Sequence, residues 1–292
     1  MAAHVPVMTA EVLAALEPSR GGLFVDCTVG LGGHSRALLE AGAGRVLGID
    51  RDAHALEIAA TTLAPWQSQV ELVHADYREL PRLLDARGID AIDGVVADLG
   101  LSSMQLEEAG RGFSFQRDEP LDMRMDRSRG ATAADLLAQA SEVELADAIF
   151  RYGEERRSRF IARAIVAQRR TTPIRTTAEL ATLVRRVVRR SGRIDPATRT
   201  FQAVRIWVNA ELEGFDAFLR AVCSRLRVGG RFAVVTFHSL EDRPVKHTFR
   251  AIAGEQLEFR VLTKKSIVPG DEEIRQNPRA RSARLRAIER IG

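Results

Sequence analysis

Short apolar runs in this chain end, again and again, on a group that can do chemistry. Asp26 follows "LFV", Asp50 follows "RVLGI", Asp76 follows "VELVHA", Asp98 follows "IDGVVA", and His238 follows "RFAVVTF". A carboxylate at a strand end can accept hydrogen bonds from hydroxyls or amines and can face a cation. The first of them opens a glycine-rich turn, "DCTVGLGGHSR" (26–36), of the kind that holds a nucleotide between a strand and a helix.

Three ligands compete for that turn. A nucleoside triphosphate needs Gly-Lys-Ser/Thr, and Gly33-His34-Ser35 has no lysine, which excludes it. A dinucleotide needs G-x-G-x-x-G, and here Ser35 stands at the third glycine, although Asp50 would suit a ribose. S-adenosylmethionine goes with acid-x-G-x-G-x-G, which Asp26 to Gly32 matches with Thr28 at the first glycine and with Gly30 and Gly32 in place. That ligand has no phosphate but carries an ammonium, a sulfonium and ribose hydroxyls. Asp26 is then expected to face the amino-acid part, and Asp50 to take both ribose hydroxyls. Tyr77 packs on adenine, with Asp76 near its amino group. The dinucleotide reading, weakened, stays open.

Asp98-Leu99-Gly100-Leu101-Ser102-Ser103 ends the fourth strand, beside the reactive end of such a donor. The lone pair of an exocyclic base amine is delocalised into the ring. Acceptors that hold its hydrogens and turn the nitrogen toward pyramidal geometry make it nucleophilic, so Asp98 and Ser102 are candidate catalytic residues. His238 either orients the base and accepts a proton or is a satisfied strand-end histidine. Phe113 and Phe115 either stack on an unpaired base or anchor their segment to the core. Asp122 and Asp126, four apart and without histidines, make a poor metal site, and no metal is expected. Arg199, Gln202 and Arg205 share one side of a helix and either touch RNA or pair with carboxylates.

The elements that position these groups read as α/β. Over the first hundred residues, strand-like runs alternate with amphipathic segments such as "SRALLEAG" and "AHALEIAATTL", which predicts right-handed crossovers and a parallel sheet. After Leu101 the alternation stops. From about 132 to 190 the pattern is helical, with capping-box spacing at Ser141/Glu144 and Thr176/Glu179 and helix stops at Gly153 and Gly192. Asp195-Pro196 opens one long helix through Leu226, and strands return at 231–239, 258–264 and 283–290. The expected organisation is a discontinuous sheet domain of residues 1–105 and 196–292, interrupted by an all-helical insertion, 106–195.

Of 292 residues 45% are hydrophobic and 28% charged, ordinary for a globular protein. No apolar run approaches the ~18 residues that span a bilayer. The chain starts without a signal-peptide pattern and has only Cys27 and Cys223, so a cytoplasmic protein without disulfides is expected. The net charge of +4 hides a strong asymmetry: residues 151–199 hold 14 Arg against 4 acidic residues, and 107–150 hold 5 Arg against 10 acidic residues. A cationic insertion fits a polyanionic partner.

The motifs "HVPVM", "GLGGHSR", "IDRD", "DLGLSS" followed by "QL", "RGFSF", "LDMRMD", "YGEE", "ATRTFQAVRIWVN", "FHSLEDR" and "NPRARS" occur in this order between His4 and Arg286. In this the chain resembles the ribosomal small-subunit RNA methyltransferase H family, also called MraW. The resemblance implies a class I, Rossmann-like methyltransferase sheet with an inserted helical domain. It implies methylation of the N4 amine of one cytidine in the decoding region of 16S ribosomal RNA, with S-adenosylmethionine as donor and the small ribosomal subunit as partner. It also implies cofactor binding by Gly32, Gly33, His34, Asp50, Tyr77, Asp98 and Gln105, with Tyr77 where the family's aromatic is Phe. A nicotinamide-dependent oxidoreductase and a non-catalytic RNA-binding assembly factor are the rival readings.

Overall fold

The computed structural model describes residues 6–190, 192 and 194–292, so His4 and Val5 of "HVPVM" lie outside the described residues. The chain divides into two compact units, 1–100 with 214–292 and 101–213.

The first unit is built on a seven-stranded sheet: β1 (Leu23–Asp26), β2 (Arg45–Asp50), β3 (Val70–His74), β4 (Ile92–Asp98), β5 (Leu226–Thr236), β6 (Phe259–Val261) and β7 (Arg284–Arg290), in the order β3-β2-β1-β4-β5-β7-β6. β1 to β5 run parallel, while β7 is antiparallel to both β5 and β6. The expected Rossmann-like α/β sheet is what forms. Successive strand residues serve opposite faces: Val95 and Ala97 of β4 join Leu80, Leu219 and Phe249 in one core, and Val96 joins Val12, Leu38 and Leu63 in the other. Both faces are therefore covered, which explains why the strands read as near-continuous apolar runs. From β1 the chain crosses to β2 on one side, and β4 lies on the other. The carboxyl ends of β1 and β4 thus flank the topological switch point, where ligands bind in such sheets.

The second unit is helical, with helices at Ala133–Gln139, Glu142–Gly153, Ser158–Arg169, Thr177–Val187 and Ala197–Val208. Both expected capping boxes form. Leu145, Ile149, Ile161, Leu180, Val184, Phe201 and Val204 share its core.

Three expectations are corrected. The unit boundaries fall after Gly100 and Glu213 rather than after 105 and 195, because the buried face of Ala197–Val208 belongs to the helical core. The single long helix is two, Ala197–Val208 and Phe215–Ser224. Asn209 ends the first by bonding the Arg205 and Met123 carbonyls at 2.9 and 2.8 Å, and Ala210 and Gly214 then take positive φ. Gly153 does not supply the left-handed stop, which falls on Glu154; it is a close-approach glycine, since a Cβ there would lie 2.5 Å from the Arg199 carbonyl oxygen. Among the described residues, no helix is long and apolar enough to cross a membrane.

Candidate active site

β1 delivers the glycine turn to the switch point. Gly32 is the N-cap of the helix Gly33–Glu40 at φ 86°, a conformation that costs other L-residues about 1–2 kcal/mol. At Gly33 a Cβ would lie 2.9 Å from the Pro6 ring. The turn is pinned from both sides. Asp50, ending β2, accepts the Gly30 amide at 2.7 Å through one oxygen and the Asp52 amide at 2.9 Å through the other. Burial raises its pKa to about 6 from an ordinary 3.8, against the pull of those two amides.

Asp26 takes a different place from the one expected. Its side chain is wholly enclosed, accepting the Ser35 hydroxyl at 2.7 Å and the Thr28 amide at 3.1 Å, so it holds the turn from behind rather than facing a ligand. Asp76 likewise spends its charge locally: Arg51 at 2.6 Å, Arg78 at 2.7 Å and the Arg78 amide at 2.9 Å all donate to it. These arginines hold its carboxyl below the usual range in spite of burial. Tyr77 is buried with its ring edge-on to Phe218 at 4.6 Å and the guanidinium groups of Arg51 and Arg78 5.8 and 5.9 Å from its centroid. The ring packs into the core beyond β3.

At the end of β4, the carboxylate of Asp98 meets His34 of the glycine turn, with Oδ2 3.3 Å from Nε2. The ring is 4% exposed and the carboxylate 20%. Asp98 Oδ1 and His34 Nδ1 are buried and have no hydrogen-bond partner among the described residues. Such atoms cost free energy unless a ligand meets them. Burial works against a charged imidazole here, but Asp98, with help from Asp26, outweighs it and raises the His34 pKa.

At the end of β5, His238 Nε2 lies 3.0 Å from Glu241 Oε1, and Glu241 Oε2 accepts the Phe237 amide at 2.8 Å. Glu241 is buried, so it orients His238 from below, and Asp242 is taken up by Arg286 at 2.7 and 3.0 Å. Register places His238 near the same rim, because Asp98 pairs with Val235.

Thr28 and Ser35 were not singled out by their spacing as functional, yet both lock the site. The Thr28 hydroxyl accepts the Asp98 amide at 2.7 Å, tying β1 to β4, and Ser35 donates to Asp26. They are the two departures from the glycine patterns, and each departure puts a hydroxyl where a buried bond is made.

Ser102 and Gln105 lie in the helical unit, where they form the capping box of the short helix Ser103–Glu107, at 3.2 and 3.1 Å. In the same unit Phe115 packs edge-on to Phe201 at 4.7 Å and Phe113 is buried, which is the anchoring role. Asp122 pairs with Arg124 at 2.7 Å, and Asp126 with Arg129 at 2.7 Å. Arg199 and Gln202 bond the carbonyls of Glu154 and Tyr152, and Arg205 pairs with Glu211.

The donor set of the rim suits a ligand with hydroxyls and positive charge. Asp50 and Asp98 offer it carboxylate acceptors. The chain is 50% identical over 291 residues to the ribosomal RNA small subunit methyltransferase H of Sorangium cellulosum, covering 99% of this chain and 91% of that protein. It is 51% identical to the protein of the same name from Nitrobacter winogradskyi, covering 98% and 90%. A solved rRNA methylase structure from Streptococcus thermophilus overlaps 97% of this chain and 94% of its own at a TM-score of 0.42 and 12% identity. The MraW methylase family model matches residues 1–291, and the chain belongs to that family.

Proposed function

We propose that this S-adenosylmethionine-dependent methyltransferase modifies the exocyclic N4 amine of one cytidine in the decoding region of 16S ribosomal RNA, as part of the small subunit and in the cytoplasm. The observation that carries the reading is the Asp98–His34 pair, whose leftover acceptor and ring nitrogen are buried at the switch point. The relatives' name, ribosomal RNA small subunit methyltransferase H, supplies the substrate class.

The donor, when bound, supplies an electrophilic methyl group on a sulfonium. Asp50 would hold the ribose hydroxyls, with the turn Gly30–His34 against the amino-acid part and Tyr77 beside the adenine. Gln105 is assigned to the same ligand by the family resemblance. Asp26 and Asp76 act at one remove: the first fixes the turn, and the second fixes the backbone before Tyr77.

Asp98 accepts a hydrogen from the cytidine amine and so concentrates its lone pair on nitrogen. The nitrogen that takes the methyl group would have to shed a proton, and the Asp98 carboxylate would receive it. His34 keeps that carboxylate oriented. His238, set by Glu241, positions the base, and Ser102 adds a hydroxyl to the substrate side. The cationic helices hold the phosphates of the strand.

A nicotinamide-dependent oxidoreductase and a non-catalytic assembly factor find no support in the family. The experiment that tests the reading is incubation of small ribosomal subunits with methyl-labelled donor, followed by nucleoside analysis. Label on the exocyclic nitrogen of cytidine is expected; label elsewhere, or none, would overturn it.

A further inference from the structure

Beyond Asp98 the sheet rim continues into a recess of about 500 Å³, of whose lining the methyl-transfer reading uses His238 alone. It opens where β5 ends and β7 begins, since Thr236 pairs in register with Arg284. Phe237 and His238 form one wall, the first two turns of the helix Ser239–Glu255 a second, and residues 281–284 a third. Arg243, Lys246, Arg281 and Arg284 all line it, with Asp242 as the only lining carboxylate. Both Asp242 oxygens are already held by Arg286.

Several arginines elsewhere in the sheet unit are paired with carboxylates. There Arg225 pairs with Asp85, Arg227 with Asp93, Arg231 with Glu17 and Glu289, and Arg260 with Glu289. In the recess, by contrast, Lys246 and Arg281 have no carboxylate partner among the described residues, and Arg284 bonds the Ser266 hydroxyl at 3.3 Å. Like charges held together without counter-charge repel, and an anion relieves the repulsion. The positive end of a 17-residue helix opens onto the same space.

We propose that this recess binds a phosphodiester of the RNA strand next to the target nucleotide. The inference rests on the RNA substrate proposed above. A strand is favoured over a free anion because His238 is shared between the recess and the rim on which Asp98 stands. A nucleotide placed at Asp98 therefore leads its own backbone past His238 into the cations.

The test uses this chain with Lys246→Gln and Arg281→Gln together, neither side chain bonding another group among the described residues. Affinity for a naked 16S RNA fragment is expected to fall about tenfold or more. The slope of log affinity against log salt should shrink by about 1, the count for one lost phosphate contact. Cofactor affinity by calorimetry should stay within twofold. Unchanged RNA affinity and slope would overturn the proposal. So would loss of binding to intact subunits with naked RNA unaffected, which would mark a protein contact, or loss of inorganic phosphate binding alone, which would mark a free-anion site. A wild-type chain that fails to methylate cytidine but whose RNA affinity falls with these two charges would sink the reading of the reaction and leave the phosphate site standing.

Discussion

His34 Nε2 lies 3.3 Å from Asp98 Oδ2 while Oδ1 of the same carboxylate stays buried without a partner. One residue comes from the turn after β1 and the other from the end of β4, so the contact ties the donor loop to the place where the acceptor amine is expected. The contact engages one oxygen and keeps the other acceptor in reserve.

Asp98→Asn keeps the shape and removes the charge that orients the amine. Methyl transfer should fall about 100-fold or more, the scale seen when one preorganised partner is removed from a transition state, with RNA affinity within about twofold. An unaltered turnover would remove Asp98 from the mechanism. The variant also has a signature in stability. The folded-state pKa of His34 is raised above 6.5, chiefly by Asp98 against the cost of burial. That contribution is therefore fully present below pH 6.5 and is lost as pH rises through the folded value. Melting curves of the wild type should show this loss on the alkaline side of 6.5, and those of Asp98→Asn should not.

Asp50 titrates in a lower window. With a folded pKa of about 6 against an ordinary 3.8, its contribution to the stability of the cofactor-free protein is present below pH 3.8 and lost as pH rises to about 6. Charged Asp50 is thus a liability to the fold and an asset to the ligand. S-adenosylmethionine affinity should weaken by up to about tenfold per pH unit below 6, as the acceptor is protonated. Asp50→Ala should abolish binding. Calorimetric titrations from pH 5 to 8 measure both effects, and a flat profile in the wild type would separate Asp50 from the ribose.

Strand alternation and strand-end acids made the rim legible in the sequence, because a parallel sheet needs apolar runs and its switch point needs polar ends. Which acids face a ligand was not legible. Asp26 and Asp50 occupy equivalent strand ends, yet Asp26 is fully enclosed, bonded by the Thr28 amide and the Ser35 hydroxyl 2 and 9 residues further along, while Asp50 is only partly buried. Glu241 is the buried support of His238, a role that no sequence pattern marks. The helix boundary at Asn209 escaped because its signal is tertiary: a side-chain amide reaching Met123 and Met125, more than 80 residues away.

The arginine-rich stretch 185–190 is not uniform. Arg185 pairs with Asp195 at 2.9 Å and lies over the Phe115 ring at 5.6 Å, while Arg186, Arg189 and Arg190 are exposed and have no ion-pair partner among the described residues. Changing the latter three to Gln should reduce the salt slope of RNA binding by about 2 to 3, with the melting temperature unmoved. Arg185→Gln should cost under about 1 kcal/mol of stability, as exposed pairs do. A slope that stays put in the triple variant would take the phosphates away from this helix.

The helical unit depends on a crossing that tolerates no side chain at Gly153. A Cβ there would lie 2.5 Å from the Arg199 carbonyl oxygen and 3.2 Å from the Ala203 Cβ. Both neighbours belong to the helix Ala197–Val208, so the backbone itself has to move, and no rotamer change relieves the clash. Gly153→Ala gains helix propensity of about 1 kcal/mol, which would stabilise an exposed helix. Here the forced separation of two packed helices should outweigh it, for a net loss of about 1–3 kcal/mol. Thermal denaturation should show a midpoint lower by several degrees, and methyl transfer at low temperature should be close to wild type. A raised midpoint would mean that the two helices pass farther apart than this packing requires.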